Sequence, residues 1–195
     1  MEPMEIARRL KEQFGPEILE ITGHAGQVSA IVRRDRIVEM LSWLKRTDRI
    51  RLNHLMCLCG IDNRDRMDDA LLRFEVAYSL YSITHGHEFR LRAQVPEDDP
   101  VIESATPVWR GAEWPERECY DLMGITFANH PDLRRILLPD DWQGHPLRKE
   151  YPLKGREEWS GFSDLLHKVE KLRAFDFQPE AGAAAGPEKK KEGRS

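Results

Sequence analysis

Cysteine is scarce in this chain: Cys57, Cys59 and Cys119 are the only three in 195 residues. Three thiols cannot supply the four thiolates of an ordinary iron–sulfur cluster. No pair has the C-x-x-C spacing, which excludes a zinc ribbon and a thioredoxin-type motif. The odd count fits a reducing compartment. Long apolar runs are missing too. The longest, near Leu55–Ile61, falls far short of the roughly 18 residues that a membrane span requires. The first residues, MEPMEIARRLKEQF, are too charged for the apolar region of a signal peptide. Nor is there an excess of positive charge. The net charge is −4, and the last fifteen residues carry +2, which leaves −6 on residues 1–180. An acidic body argues against nucleic acid as the partner, since phosphate binding wants a basic face. No G-x-G-x-x-G or Walker A loop is present, and no internal repeat.

What is there reads as one domain with an appendage. A chain of this length buries roughly 70% of its unfolded surface and folds without a disulfide or metal. Pro3 opens a short helix over 3–14, which Gly15-Pro16 stops; Ile6, Leu10 and Phe14 share a face. Glu17–Thr22 and Gln27–Arg33 read as strands around a turn at Gly23–Gly26. Asp35 caps a helix over 36–46 with Ile37, Met40, Leu41 and Leu44 inward. His54–Ile61 is a further strand. Phe74, Val76, Tyr78 and Leu80 alternate with Glu75, Ser79 and Tyr81, and Phe89, Leu91, Ala93 and Val95 with Glu88, Arg90, Arg92 and Gln94. Period two marks a sheet with one buried and one wetter face. The class is therefore α+β, a mixed or antiparallel sheet covered on one face by helices. Thr106-Pro107 opens a short helical segment, and Trp114-Pro115 opens another that Gly124 closes.

Residues 124–153 obey neither period and hold four prolines, yet they include Phe127, Leu133, Ile136, Leu137, Leu138, Trp142 and Leu147. Disordered segments are poor in such residues, and an irregular stretch this long is usually functional. Its apolar side chains want a surface, and another chain is the natural supplier. A last helix over 163–173 turns Leu165, Leu166, Val169 and Leu172 inward, and the charged 181–195 tail reads as disordered. The organisation is an α+β domain over 1–123, an extended partner-wrapping segment over 124–155, a C-terminal helix region over 156–180, and the tail.

Local constellations give little chemistry. His85-Gly86-His87 reads as an exposed hairpin loop without the further ligands of a metal site. Cys57 and Cys59 read as small buried hydrophobes. Glu116, Glu118 and Asp121 cluster around Arg117. Catalysis would need two of these carboxylates in a pocket with separated pKa values, whereas acidic residues also suit a helix start. His130, Arg134, Arg135, His145, Arg148 and Lys149 form a basic set with no backbone cradle for phosphate. Arg and Trp are the usual anchors of protein interfaces.

The run from Glu116 to Leu137, ERECYDLMGITFANHPDLRRIL, and its continuation LPDDWQGHPLRKEYPL to Leu153 resemble the signature of the thirty-kilodalton subunit family of NADH-quinone oxidoreductase, respiratory complex I. The strand Arg73–Ser82 and the segment Glu103–Trp114 are similar to that family as well, so the resemblance covers about residues 45–155. Two positions depart mildly: Glu150 stands where aspartate is common, and Met123 where an aromatic is frequent.

The resemblance implies a peripheral-arm subunit with no cofactor of its own and no catalytic or metal-binding residue. FMN, iron–sulfur clusters and quinone are then bound by partner subunits, in an enzyme that passes electrons from NADH to quinone and translocates protons. The partners it implies are the quinone-site subunit and the iron–sulfur subunits, in a hetero-oligomer that reaches the membrane only through the complex. The place it implies is the cytoplasmic face of the inner membrane, or the matrix face in a mitochondrion. Glu116, Arg117, Glu118, Asp121, His130, Arg134, Arg135, Trp142, Arg148, Lys149 and Tyr151 then read as interface groups. Each buried charge among them needs an opposite charge. Related complexes use other donors (deazaflavin, ferredoxin or hydrogenase types). The competing readings are a free-standing enzyme using Glu116, Glu118 or Asp121 with His130, and an assembly factor of the same fold.

Overall fold

The structure is a computed structural model that describes residues 1–66, 71–153 and 161–173. The chain divides into two units, Met1–Arg156 and Glu157–Ser195. In the first, helix α1 (Pro3–Phe14) leads into the hairpin β1 (Ile18–His24) and β2 (Gln27–Arg33), then helix α2 (Ile37–Arg46). Strands β3 (His54–Asp62), β4 (Phe74–Ser82) and β5 (His87–Val95) follow. Next come the short β6 (Val101–Glu103), helix α3 (Glu113–Met123) and β7 (Thr126–Ala128). The five long strands form one sheet in the order β1-β2-β5-β4-β3. Within it only the central β2–β5 pair is parallel; the other pairs are antiparallel.

In α1, α2, β4 and β5 the expected apolar face is buried. Ile6, Leu10 and Phe14 of α1 and Ile37, Met40, Leu41 and Leu44 of α2 join Ala30, Val32, Val76, Tyr78, Leu80, Phe89 and Leu91 in one core. Most of these side chains are fully enclosed, and each large one contributes about 1.5–3 kcal/mol of burial. The class is α+β, a mixed sheet with its helices on one face.

Several local expectations are corrected. The first hairpin turns over Ala25 and Gly26, not Gly23–Gly26, because β1 pairs as far as His24 with Gln27. Asp35 does not cap α2; Arg36 occupies that position and no side chain caps it. Thr106-Pro107 starts no helix; the Ala105 carbonyl instead accepts the N–H groups of Val108 and Trp109 in a turn, and a 3-10 turn follows at Arg110–Ala112. His87 is not in the loop. It begins β5, is buried, and its Nε2 lies 2.7 Å from the Ile50 carbonyl oxygen. Cys57 and Cys59 are exposed, and Cys119 alone of the three is buried. The wetter sheet face is not wet throughout. Glu75 is fully buried there, with Arg92 Nε at 2.7 Å, Asn63 Nδ2 at 3.0 Å and Gln94 Nε2 at 2.6 Å closing over its carboxylate. The stretch after Gly124 begins in order rather than irregularly, because β7 pairs in parallel with β6.

The second unit contains α4 (Phe162–Arg173). Leu165, Leu166 and Leu172 are exposed rather than turned inward. The helix is short and its apolar face lies open. The tail over 181–195 lies outside the described residues.

Candidate partner interface around helix α3

Helix α3 organises the segment that follows it as far as Arg148. Gly124 ends the helix with φ +71°, the left-handed conformation that glycine adopts without strain. Close packing sets the helix against β3, where a Cβ on Gly60 would come within 3.1 Å of the Met123 side chain.

Asp121 is the anchor of the returning chain. It is fully buried. One carboxylate oxygen accepts the N–H groups of Ile136, Leu137 and Leu138 at 3.1, 2.8 and 2.9 Å. The other accepts Arg135 Nη1 at 3.1 Å. Burial alone would raise its pKa, but the three N–H groups and the Arg135 guanidinium outweigh that and hold it below the usual value. Arg117, also buried, donates to the carbonyl oxygens of Arg134 and Arg135 and lies 4.8 Å from the Trp114 ring centre. Farther along, Leu147 N–H donates to the Leu122 carbonyl, His145 Nδ1 sits 3.0 Å from the Asp121 carbonyl, and Arg148 Nε donates to the Met123 carbonyl at 2.7 Å. Burial lowers the His145 pKa, so the neutral ring donates there. The Lys149 N–H ends on Asp62, which Arg73 also holds; Arg73 in turn pairs with Glu150. The segment over 131–151 is thus fixed to this chain through its backbone and its polar side chains.

Glu116 is different. It is fully buried and accepts the Ala105 N–H and the Ser104 hydroxyl at 2.6 Å each, with no Arg or Lys among the described residues paired to it. His130 Nε2 is 3.9 Å away and 3.1 Å from the Glu113 carbonyl oxygen. The Asp132 N–H donates to His130 Nδ1, so Nε2 carries the imidazole proton. Burial pushes the Glu116 pKa up to about 7, against the pull of Ser104 and Ala105. Glu118 projects to solvent, away from Glu116. With Asp121 saturated by donors, these three carboxylates do not meet as an acid–base pair.

The sequence-selected residues therefore fall into two groups. Glu116, Arg117, Asp121 and His130 have their side chains enclosed by this chain, and Arg135 and Arg148 are committed to Asp121 and Met123. Glu118, Arg134 and Lys149 are exposed, and Trp142 and Tyr151 are half-buried. Apolar residues outside that set of eleven are exposed on the same helix and segment. Trp114, Leu137 and Leu147 are all more than half exposed. Leu147 borders an open cleft with Ile61, Asp65, Met123 and Lys149. Asp62 and Arg73, which hold the segment's far end, are not among the candidate site residues.

A Gly124→Ala variant tests the segment's attachment. The added Cβ would fall 2.5 Å from His145 Nε2 and 2.6 Å from Arg148 Nη2. Arg148 cannot swing away freely, since it bonds Met123 and lies over the Phe74 ring. Backbone strain alone costs about 1–2 kcal/mol. A urea titration should show at least that loss, and trypsin should cut earlier within 131–151; an unchanged midpoint would refute the attachment.

The model of the respiratory-chain NADH dehydrogenase 30 kDa subunit family matches residues 30–157. This chain belongs to that family. It is 44% identical to an NADH-quinone oxidoreductase subunit of Geobacter sulfurreducens over 157 residues, covering 78% of this chain and 93% of the relative. It is 42% identical to the subunit of the same name from a Roseiflexus species over 153 residues, covering 78% and 85%. Among solved structures it is similar to a trypsin-resistant fragment of Nqo5, with TM-score 0.60, 30% identity, and coverage of 68% of this chain and all of the fragment. A chain of an archaeal membrane-bound sulfane sulfur reductase shares the fold at TM-score 0.60 and 17% identity, over 95% of this chain and all of that one. Around α3 the polar groups hold the returning loop, and large apolar side chains are left outside.

Proposed function

We propose that this chain is a cofactor-free scaffold subunit of a complex I-type NADH-quinone oxidoreductase. It holds the quinone-site subunit and the iron–sulfur subunits in register, while FMN, clusters and quinone are bound by those partners. Electrons pass from NADH to quinone, with proton translocation, through centres whose spacing this chain maintains. Its place is peripheral, on the cytoplasmic face of the inner membrane, and no helix among the described residues is long and apolar enough to cross a membrane.

One observation carries the reading. The 131–151 segment turns its hydrogen-bonding groups toward α3 and β3, and leaves Leu137 and Leu147, with Trp114 of α3, more than half exposed. Exposed tryptophan and leucine side chains, with the exposed charges of Arg134, Glu118 and Lys149 on the same helix and returning segment, are the residue types of an interface centre and its polar edge. The NADH-oxidising form of the enzyme is favoured over other donors by the names of the relatives at 44% and 42% identity.

The test is extraction of membranes in mild detergent, pull-down on this chain and mass spectrometry. Cluster-bearing and quinone-site subunits should come down at equal stoichiometry, and the donor-oxidising subunit among them names the reaction. Recovery of the chain alone would overturn the proposal. A Leu137→Glu/Leu147→Glu pair should lower co-purification by about tenfold or more. It should leave the melting of the isolated chain nearly unchanged, because both positions are exposed. Assembly at the wild-type level would move the interface elsewhere.

A further inference from the structure

The core face of β3 carries Leu58, and the opposite face carries Cys57 and Cys59. Their register partners on β4 are Ser79 and Ala77, on the side of the sheet away from the α1–α2 core. Both cysteines are exposed, and the neighbouring Cys57 thiol is one of the groups that raise the Cys59 pKa. Arg90 and Glu118 lie near Cys59. No thiol in the chain is spent on a disulfide.

Strand geometry decides what two such thiols can do. Residues two apart on a strand stand about 6.8 Å apart at Cα, with parallel Cα–Cβ bonds. A disulfide wants Cβ atoms at about 3.8 Å and converging. Direct S–S closure would therefore distort the β3–β4 ladder. A bridge with one further atom between the sulfurs spans the gap without moving the backbone. A tetrahedral zinc site is not available, because among the described residues no three His, Cys, Asp or Glu side chains are placed to hold a metal. A trivalent metalloid needs only two sulfurs, its third position being taken by water-derived oxygen or a carbon substituent.

We propose that Cys57 and Cys59 form a vicinal dithiol site that captures trivalent arsenicals through two sulfur–arsenic bonds. The exchange balances without an oxidant. Each S–H bond breaks, each sulfur bonds to arsenic, and both protons leave with the arsenical's oxygen as water; arsenic stays trivalent. The same site discriminates against one-armed reagents. Partial burial of the sulfur, and then the neighbouring Cys57 thiol, raise the Cys59 pKa, so its nucleophilic thiolate is scarce at neutral pH. A bidentate ligand gains from the second thiol, which is held at high effective concentration once the first bond has formed.

The probe is phenylarsine oxide, applied to the full chain and to the complex extracted in mild detergent, with intact-mass detection. One adduct per chain is expected, stable to excess 2-mercaptoethanol and released by dithiothreitol. Cys57→Ser and Cys59→Ser should each weaken capture by at least about 100-fold, the usual scale of a lost second contact. Cys119→Ala should leave it unchanged. Serine is close in size and both positions are exposed, so the variants fold; matching melting curves would establish that. Loss of the adduct to 2-mercaptoethanol, capture that survives either serine variant, or no adduct on the extracted complex would each overturn the proposal.

Discussion

Asp121→Ala should cost the chain about 3–5 kcal/mol, the range for breaking a buried charge network by removing one partner. The alanine leaves the N–H groups of Ile136, Leu137 and Leu138 without an acceptor and Arg135 without its counter-charge. An unsatisfied buried donor costs about 1–3 kcal/mol by itself. Asp121→Asn should fall between the two, because its amide keeps one acceptor oxygen but turns a donor toward other donors. Chemical denaturation reads the loss, and trypsin cleavage after Arg134 or Arg135 shows where it acts. The pH dependence carries a definite sign. The folded-state pKa of Asp121 lies below its ordinary 3.8, so its contribution is complete above that value and drains away as the pH falls through the folded pKa. A variant that melts like the wild type would show that the segment is held by something else.

Glu116→Gln should do the reverse and stabilise the chain at alkaline pH. The folded pKa of Glu116 is pushed up to about 7 from 4.5. The folded state therefore keeps a proton that the unfolded state releases. Stability from this group is intact below pH 4.5 and is lost as the pH rises through 7, a swing of about 3 kcal/mol. Tyr78, fully buried, and Cys119 lie near Glu116, each with its own pKa raised by burial, and His130 Nε2 stands 3.9 Å from the carboxylate. Glutamine keeps an acceptor for the Ala105 N–H and a polar group for Ser104, and has nothing to ionise. Urea midpoints should agree near pH 4.5 and separate by about pH 8, the variant being the more stable. Parallel profiles would show that Glu116 titrates in the folded chain as it does in the unfolded one.

The two carboxylates sit five residues apart on one helix, and their sequence context hardly distinguishes them. What separates them is contact with chain far away. Asp121 meets three N–H groups from 15 to 17 positions downstream, whereas Glu116 meets a turn 11 to 12 positions upstream. Periodicity reads elements with one face, and so α1, α2, β4 and β5 are legible with their inward residues. It does not read elements of three residues such as β6 and β7, nor the parallel alliance of β2 with β5, which is a long-range event. Glu75 and His87 escape it for the same reason: a polar side chain on a strand is assigned to water unless its buried partners are known. The cysteines depart in the opposite sense, since a thiol behaves as apolar in general and this strand turns both outward. The segment after α3 is legible through resemblance to a family rather than through its pattern, because a loop held by backbone amides has no period.

The strand order also fixes a timetable. β2 and β4 do not touch, and β5 fills the place between them, pairing Ser29 with Arg90 and Phe74 with Val95. During synthesis the β1–β2 hairpin is complete long before its neighbour exists. Until residue 95 has emerged, β2 shows a bare row of backbone donors and acceptors, and α1 and α2 have only half a sheet to cover. Such an unpaired edge invites pairing with another nascent chain. The closing step, a strand sliding between two others, joins residues some sixty positions apart and is the slow kind of contact. A newborn copy of this chain therefore carries a bare edge at β2 until β5 has been made.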